Sequence, residues 1–429
     1  MTKSLSRWHD RIANPRQSGS RSHPLPSSSY PVPVPEAVIV ATGRSPIGRA
    51  GKGSLIDVRP DDLVGHVVRK VLDKVPELPA QDIDDLICGC GYPALQQGMN
   101  IGRLAVFISG LPLTVPGTTV SRFCASSLQA IRMAFHAIKA GEGDTFVCAG
   151  VESYSRVGRG GMTDEDKNPR LLGAGAGAVP GSPLGLPSGM EGYIQMGVTA
   201  ENVADRYNVS REDMDVFALG SQQKAARARD TGVFAREIIP VVTPAGVEVT
   251  TDDGIRADTT LEKLASLAPV FREDGRVTAG NACPLNDGAA AVVVLSAEKA
   301  ARLGIKPLAR IVASSVSGVD PTIMGVGPIE AVRKVLAGAE MTVADIDLVE
   351  LNEAFASQVL AVSREVGWDM DRLNPHGGAI ALGHPFGMTG ARIMTALVND
   401  LQTLDKTYGL ETMCVGGGQG MAMIIERLN

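Results

Sequence analysis

Aromatic side chains are scarce in this 429-residue chain, which has only 2 Trp, 6 Tyr and 9 Phe. This scarcity argues against an aromatic-lined β-sandwich, and the 49 glycines favour tightly packed α/β layers with many turns. A surplus of positive charge is also lacking, because 41 basic and 47 acidic residues give a net charge of −6. Non-specific nucleic-acid binding needs such a surplus, so we expect no nucleic-acid partner.

Cysteines and long apolar runs are sparse as well. Six scattered cysteines are too few for a disulfide framework in a chain of this length, which favours a reducing compartment. No uninterrupted apolar run approaches the ~18 residues that cross a membrane, so we expect no membrane insertion and a cytoplasmic location. At about 150 residues per domain, the length predicts two or three folded units.

Residues 1–35 differ in composition from the rest of the chain. They hold five basic residues against one acid, many serines and a proline-rich run over 24–35. Because such a segment buries little apolar surface, we expect a disordered N-terminal arm. An Arg- and Ser-rich start with few acids also fits a transit peptide, which would place the protein in mitochondria. An untemplated extension or a mis-assigned start codon is the plainer alternative.

Hydrophobic periodicity after residue 36 predicts strands that alternate with helices. We predict strands over 37–41, 85–88 and 145–151, a helix from residue 61 and another over 125–140. Such alternation predicts a parallel sheet with right-handed crossovers.

A similar run begins near residue 306, which indicates an internal duplication. Its predicted strands cover 309–314, 348–351, 413–415 and 421–425, and its predicted helices cover 329–337 and 390–401. Between the two runs, a Gly/Pro/Ala stretch over 172–187 is followed by predicted helices over 198–207 and 211–228. We interpret this middle segment as an inserted lid carried on the first half.

Cys124 is the first candidate for covalent chemistry. It lies between an extended stretch and the start of a predicted helix. Unpaired N–H groups and the positive end of the helix dipole favour a thiolate there, and the same N–H groups could hold an oxyanion. A buried structural cysteine is the plain alternative, since free cysteine is among the most buried residue types.

His384 follows the glycine-rich stretch 377–383 and precedes Pro385. It lies eight residues after His376, without a Cys or carboxylate clustered nearby in sequence, so we expect no metal site. We interpret His384 as an imidazole positioned to activate a thiol.

Two further motifs carry thiol or amide groups. Cys414 precedes the glycine turn 416–420, where backbone can approach a ligand closely. A nucleotide-phosphate loop would need a helix after these glycines, whereas residues 421–425 predict a strand. Asn352 stands with Glu353 at a strand-to-helix junction, where an N-cap is the alternative role.

Taken together and in order, these motifs resemble the thiolase family of acyl-CoA C-acyltransferases from about residue 36 to the C-terminus. The matching segments are the nucleophile segment 120–130, a stretch over 196–202, the pair 278–282 and 286–291, the NEAF box 352–355, the GGAIALGHP loop 377–385 and the CxGGGxG end 414–420. The resemblance implies an α/β fold of five layers, αβαβα, built from two similar mixed-sheet halves plus an inserted loop domain.

The resemblance also implies domain boundaries and partners. The disordered arm would cover 1–35. The N-terminal half would cover 36–155 and be completed by about 285–305. The CoA-binding loop domain would cover 156–284, and the C-terminal half would cover 306–429. Acyl-CoA and CoA would be the ligands, with CoA as co-substrate and no permanently bound cofactor. A homodimer or homotetramer is implied, because catalytic loops in this family pack against a neighbouring subunit.

The implied reaction is reversible thiolytic cleavage of a 3-ketoacyl-CoA, or the reverse Claisen condensation. Cys124, activated by His384, would take the acyl group, while Cys414 would protonate the acetyl-CoA enolate and then deprotonate the incoming CoA. Asn352, through a water and together with His384, would hold the enolate oxygen. The N–H groups of Cys124 and Gly416 would hold the tetrahedral oxyanion, where losing one donor typically costs about 10²–10³ in rate.

Several positions depart from the family pattern or have two interpretations. Cys283 and Pro284 stand where a Ser-Gly pair is usual, and that serine contacts the CoA pantetheine. Arg256 matches an arginine that meets CoA, with a salt bridge as the alternative. Met324 and Phe355 would line the pantetheine tunnel or simply pack in the core. His376, in place of a usual Asn, is either a pocket residue or a structural histidine.

Two other functions remain open at this point. A decarboxylating condensing enzyme of the ketoacyl synthase type shares the implied fold, but it replaces the second cysteine with a His or Asn constellation. A catalytically silent scaffold should have lost at least one of Cys124, His384 and Cys414, and the sequence retains all three.

Overall fold

The computed structural model describes residues 34–158, 160–161, 163–172 and 191–428. Nearly all of the predicted N-terminal arm 1–35 therefore lies outside the described residues. The Gly/Pro/Ala stretch over 172–187 lies outside them as well, apart from its first residue. Residues Pro35–Asn429 form one compact unit.

Twelve strands and twelve α-helices occur in the described residues. The strands are β1 Ala37–Arg44, β2 Gly48–Arg49, β3 Asp85–Cys90, β4 Gly117–Val120, β5 Thr145–Ser153, β6 Val241–Val242, β7 Glu248–Val249, β8 Asn286–Ser296, β9 Ala309–Gly318, β10 Leu348–Leu351, β11 Tyr408–Val415 and β12 Gln419–Arg427. The helices are α1 Pro60–Leu72, α2 Ile101–Ile108, α3 Ser126–Ala140, α4 Tyr154–Val157, α5 Met196–Arg206, α6 Arg211–Asp230, α7 Leu261–Ala265, α8 Ala297–Leu303, α9 Gly327–Gly338, α10 Ala356–Val366, α11 Ala379–Leu382 and α12 Thr389–Thr403.

The main sheet is mixed, with the strand order β10-β11-β12-β9-β1-β8-β5-β3-β4. Strand β3 is parallel to β4 and β5, but β8 runs antiparallel to both β1 and β5. The parallel sheet predicted from the alternation was therefore wrong, whereas the mixed sheet that the resemblance implies is confirmed. Strand β8 enters the sheet from the inserted segment rather than through a helical crossover, and β12 follows β11 through a tight turn and is antiparallel to it. The periodicity also missed β8, whose eleven residues are all buried and so show no alternation.

The two halves repeat one pattern of pairing. In the first half β1, β8 and β5 are successively antiparallel, and β5 is then parallel to β3. In the second half β9, β12 and β11 are successively antiparallel, and β11 is then parallel to β10. The predicted similarity of the halves is confirmed by this match.

Two helices, one from each half, form the middle layer of the molecule. Leu128 and Ile131 of α3 share a buried cluster with Ile393 and Leu397 of α12. Helices α1 and α2 cover the opposite face of the first-half strands, and α9 covers the opposite face of the second-half strands. This arrangement is the expected order of five layers, αβαβα, and it buries both faces of each set of strands.

The inserted segment reaches both halves. Its helices α5 and α6 pack on α10 of the second half, which corrects the expectation of a lid carried on the first half. Its other side is tied to β1, where Arg44 makes a bidentate ion pair with Asp252 at 2.8 and 3.0 Å and a third bond to Glu237 at 2.8 Å. In the part of the chain that the structure describes, no helix is long and apolar enough to cross a membrane.

Candidate active site

Cys124 lies in a short 3₁₀ turn, Phe123–Ala125, between β4 and α3. Phe123 adopts a left-handed φ of 44°. Ser126 secures this turn, since its hydroxyl donates to Phe123 O at 2.6 Å and accepts from Arg122 N at 3.0 Å. Helix α3 thus begins one residue later than predicted, at Ser126, and the Cys124 thiol precedes its first turn.

The Cys124 thiol is buried, and burial raises its pKa to about 11. Backbone hydrogen bonds from Gly416 and from Cys124 itself oppose this rise without cancelling it. The expected thiolate is therefore not favoured at rest, because the loss of hydration outweighs the end of the helix. A base is needed to deprotonate this thiol at neutral pH.

His384 lies in the loop between α11 and α12, where the side chains of Asn286 and Thr389 hold it. Its backbone N–H donates to Asn286 Oδ1 at 2.9 Å, and its Nδ1 lies 2.6 Å from Thr389 Oγ1. The Thr389 hydroxyl donates to Pro385 O at 2.8 Å. Because that hydroxyl has a single hydrogen, it accepts from His384, so Nδ1 carries the proton and the Nε2 lone pair can accept a hydrogen bond.

Asn352, which directly follows β10, places its side-chain amide beside this Nε2 lone pair of His384. Its Nδ2 lies 3.3 Å from His384 Nε2, and its Oδ1 is buried without a hydrogen-bond partner among the described residues. The N-cap interpretation is wrong, because α10 begins at Ala356 with Phe355 as its N-cap. Burial, followed by the charge of Arg392, lowers the pKa of His384 to about 3, so its imidazole is neutral at rest.

Cys414 lies near the end of β11, where the chain turns into β12. Gly417 and Gly418 have positive φ values of 77° and 80°, and a Cβ on Gly418 would lie only 2.1 Å from Val319 O. The strand β12 follows directly, which rules out the phosphate-loop alternative. Cys414 is fully buried, and burial is the main cause that raises the pKa of its thiol. The neighbouring thiols of Cys124 and Cys283 raise this pKa further.

A cavity of about 360 Å³ reaches Cys283, whose thiol neighbours those of Cys124 and Cys414. Cys283 and Ile380 line it, together with Arg49 and Arg256. Burial and the charge of Arg49 lower the pKa of Arg256, and neither guanidinium makes an ion pair with a described residue. The salt-bridge alternative for Arg256 is therefore not found, and two like charges face one cavity that suits an anionic ligand.

The remaining sequence candidates lie elsewhere. Met324 and Phe355 are buried in the core and are not among the residues that line this cavity. The Phe355 ring lies behind Phe271, with ring centroids 6.4 Å apart, and Phe271 faces the cavity instead. His376 makes a 2.6 Å contact through Nδ1 with the buried Asp400, which favours its structural interpretation.

Sequence reasoning missed Glu152, a carboxylate only 1% exposed. Its oxygens accept from Gly91 N at 2.7 Å, Tyr92 N at 3.2 Å, Gln97 Nε2 at 2.7 Å and Gly387 N at 2.9 Å. The same carboxylate thus ties the loop after β3 to the loop that carries His384. An acid within the buried strand β5 was the available signal. Thr389 and Asn286 were also missed as partners of His384.

Family models match most of this chain. The thiolase N-terminal domain matches residues 37–298, and the thiolase C-terminal domain matches residues 305–427. The 3-oxoadipyl-CoA/3-oxo-5,6-dehydrosuberyl-CoA thiolase of Escherichia coli is 45% identical over 92% of this chain and 100% of its own length. The 3-ketoacyl-CoA thiolase of Bacillus subtilis is 44% identical over 91% of this chain and 99% of its own.

Solved structures agree with these matches. The Bacillus anthracis acetyl-CoA acetyltransferase has a TM-score of 0.82 and 38% identity, covering 92% of this chain and 99% of that one. Human mitochondrial 3-ketoacyl-CoA thiolase in complex with CoA has a TM-score of 0.81 and 35% identity, covering 92% and 98%.

Proposed function

This chain belongs to the thiolase family, and from that premise we propose how its site carries out the reaction. The enzyme is an acyltransferase that cleaves a 3-ketoacyl-CoA with CoA to acetyl-CoA and a shortened acyl-CoA. The observation that carries the proposal is a pair of neighbouring buried thiols, Cys124 and Cys414. A buried neutral imidazole, His384, is held through Nδ1 with its Nε2 turned to Asn352. One thiol would bear the acyl group while the other moves protons.

In the first half-reaction, Cys124 Sγ bonds to the 3-keto carbon and its proton passes to His384 Nε2. The tetrahedral oxyanion accepts hydrogen bonds from the N–H groups of Cys124 and Gly416. The bond between C2 and C3 then breaks, which leaves the acyl group on Cys124 and the electron pair on the acetyl-CoA enolate. Cys414 donates its proton to C2 of that enolate.

Asn352 supports this step through its unpartnered Oδ1. A water that donates one hydrogen to this oxygen could donate the other to the enolate oxygen. Protonated His384 donates to the same enolate oxygen from Nε2. Such preorganised donors are typically among the largest contributions to acyl-transfer catalysis.

In the second half-reaction, the Cys414 thiolate takes the proton from an incoming CoA thiol. The CoA sulfur then bonds to the acyl carbon, and the bond to Cys124 breaks. Cys124 leaves as a thiolate and takes back the proton that His384 Nε2 has held since the first half-reaction. Run backwards, the same steps form a carbon–carbon bond by Claisen condensation.

CoA binding is proposed for the cavity described above. Arg49 and Arg256 would meet the CoA phosphates, since both line the cavity and neither makes an ion pair with a described residue. Cys283 would contact the pantetheine in place of the usual serine, as a weaker hydrogen-bond donor. CoA acts as co-substrate, and we propose no permanently bound cofactor and no metal.

The alternatives are not favoured. A decarboxylating condensing enzyme is disfavoured because the matches are thiolases and the second cysteine is present. A silent scaffold is disfavoured because His384 keeps the hydrogen bonds that a base requires. The domain division at 36–155, 156–284 and 306–429 stays part of the proposal.

We also propose a homodimer or homotetramer in the cytoplasm. Strand β4 forms an edge of the main sheet, and Leu95, Met99 and Leu113 expose 67%, 89% and 74% of their surface. An apolar surface of this kind beside an open strand edge suits a second copy of the chain. Light scattering after gel filtration tests this, and a monomer at micromolar concentration would contradict it.

The reaction is tested with purified protein, acetoacetyl-CoA and CoA. Loss of the ketoacyl-CoA absorbance is expected for the wild type, and Cys124→Ser should abolish it. Cys148→Ser is the matched control, because Cys148 is buried within β5 and its thiol donates to Ala130 O. If the wild type leaves 3-ketoacyl-CoA substrates of every length from C4 to C16 untouched, the proposed function is wrong.

A further inference from the structure

Three aromatic side chains from three separate loops meet beside His384. The ring centroids of Tyr92 and Phe123 are 6.1 Å apart, and those of Tyr92 and Phe386 are 5.8 Å apart. Phe386 in turn lies edge-to-face against the His384 ring at 5.0 Å. We call Tyr92, Phe123 and Phe386 the aromatic wall. Edge-to-face contacts leave parts of the ring faces uncovered, so such a wall can also contact a ligand.

The aromatic wall adjoins the reacting atoms. Phe123 directly precedes Cys124 and is 40% exposed, although the thiol beside it is buried. A Cβ built on Gly416 would lie 3.5 Å from the Phe123 ring and 3.7 Å from Met196 Sδ. The apolar surface therefore continues from the wall over the backbone that contacts the Cys124 thiol. A group bonded to Cys124 would extend along this surface.

The wall is held in place by hydrogen bonds that do not involve its rings. Glu152 accepts from the backbone N–H groups of Gly91 and Tyr92 on one loop and of Gly387 on the other. One buried carboxylate thus fixes two of the three ring-bearing segments. The third is fixed by the Ser126 hydroxyl, which bonds the backbone on both sides of the Phe123 turn. A surface fixed in this way loses little entropy when a ligand binds.

No wall residue carries a formal charge. The neighbouring cation, Arg122, already donates to amide oxygens of Gln129 at 3.0 Å and Gln419 at 2.6 Å. Among the described residues, a carboxylate at the end of an acyl chain would therefore meet ring surfaces there and lose hydration, and it would compete with these amides for Arg122.

We propose that the aromatic wall binds the acyl chain of the substrate and selects apolar acyl groups over chains that end in a carboxylate. This inference rests on the proposed thiolase function. It separates this enzyme by substrate class from the relatives that are named for 3-oxoadipyl-CoA.

The test compares two substrates with the same carbon chain, 3-oxohexanoyl-CoA and 3-oxoadipyl-CoA, with acetoacetyl-CoA as the common reference. We expect kcat/KM for thiolysis to favour 3-oxohexanoyl-CoA by roughly tenfold or more, because a terminal carboxylate that loses its hydration costs more than the methyl group in its place. Equal values, or a preference for 3-oxoadipyl-CoA, would overturn the inference while leaving the proposed function intact. Absence of thiolysis with all three would instead remove the proposed function.

Variants of the wall sharpen the test. Phe386→Leu should lower the ratio of kcat/KM for 3-oxohexanoyl-CoA to that for acetoacetyl-CoA by about fivefold, since the longer tail loses ring contact. Tyr92→Arg should shift the ratio of 3-oxoadipyl-CoA to 3-oxohexanoyl-CoA by about tenfold towards the acid. Phe107→Leu is the control, because its exposed ring packs on Arg103 outside the site. If Tyr92→Arg does not fold, Phe386→Leu decides, and a ratio that matches the Phe107→Leu control overturns the inference.

Discussion

Replacing Thr389 by Val should impair the base without altering the shape of the site. The Thr389 hydroxyl accepts a hydrogen bond from His384 Nδ1 at 2.6 Å and donates its own hydrogen bond to Pro385 O. Valine has nearly the same shape but cannot accept this proton. The imidazole must then either leave Nδ1–H unpaired in a buried site or move its proton to Nε2, where it would face the amide hydrogens of Asn352.

The cost follows from burial, since His384 is only 2% exposed. An unsatisfied buried donor costs about 1–3 kcal/mol. If that cost falls on the step in which Nε2 takes the Cys124 proton, the rate falls by roughly 5- to 150-fold. The loss should appear in kcat, with KM for CoA little changed, because Thr389 does not line the cavity.

The assay is steady-state thiolysis of acetoacetyl-CoA, with mass spectrometry of acylated Cys124 after short incubation. Thr389→Ser keeps the hydroxyl and should retain most of kcat. Thr395→Val is the matched control, because the Thr395 hydroxyl lies on the same helix and donates to Ala391 O at 2.8 Å without reaching His384. The reasoning fails if Thr389→Val stays within twofold of the wild type, or if the serine variant is as impaired as the valine variant.

Three further predictions follow from the thiols and the cavity. Cys414→Ala should accumulate acyl-enzyme on Cys124 with acetyl-CoA, because the incoming CoA loses its base; an unmodified mass would contradict this. Since burial raises the pKa of Cys124 to about 11, its alkylation by iodoacetamide should accelerate about tenfold per pH unit from pH 6 to 9 as the thiolate fraction grows. A plateau above pH 7 would show a stabilised thiolate instead. Arg49→Ala should raise KM for CoA about fivefold at low salt, whereas the exposed Lys52→Ala on the same turn should not, and equal effects would argue against the phosphate contact.

Local periodicity predicted the amphipathic elements well. The helix predicted over 125–140 begins only one residue later, and strand β10 has the predicted bounds. Strand β8 was missed for a physical reason, since alternate residues face two different cores. Val292 and Val294 face the central helices, while Val293 and Leu295 face α1 and its neighbours. A strand buried on both faces shows no polar alternation, and only its place between other strands identifies it.

The charge state of the site could not be predicted from local sequence. The position of Cys124 before a helix favours a thiolate, but local sequence does not show the loss of hydration that raises its pKa. It does not show the opposing hydrogen bond from Gly416 either, which lies almost 300 residues further along the chain. Glu152 illustrates the same limit, because the Gly387 N–H that it accepts lies 235 residues further along the chain. Motifs identify which groups take part, whereas burial and distant donors set their protonation.

The position of β1 has a consequence for how this protein is made. Its partner strands are β8 and β9, so apart from a single bridge between Arg44 and Ile238, the first folded strand lies about 250 residues before the strands with which it pairs. At roughly 5–20 residues per second, the ribosome needs about 12–50 s to supply that segment. During this time both edges of an eight-residue strand that opens with five apolar residues lack their partner strands, although every one of its residues is buried in the finished protein. The nascent chain therefore passes through an interval in which its own sheet does not yet shield this strand from aggregation.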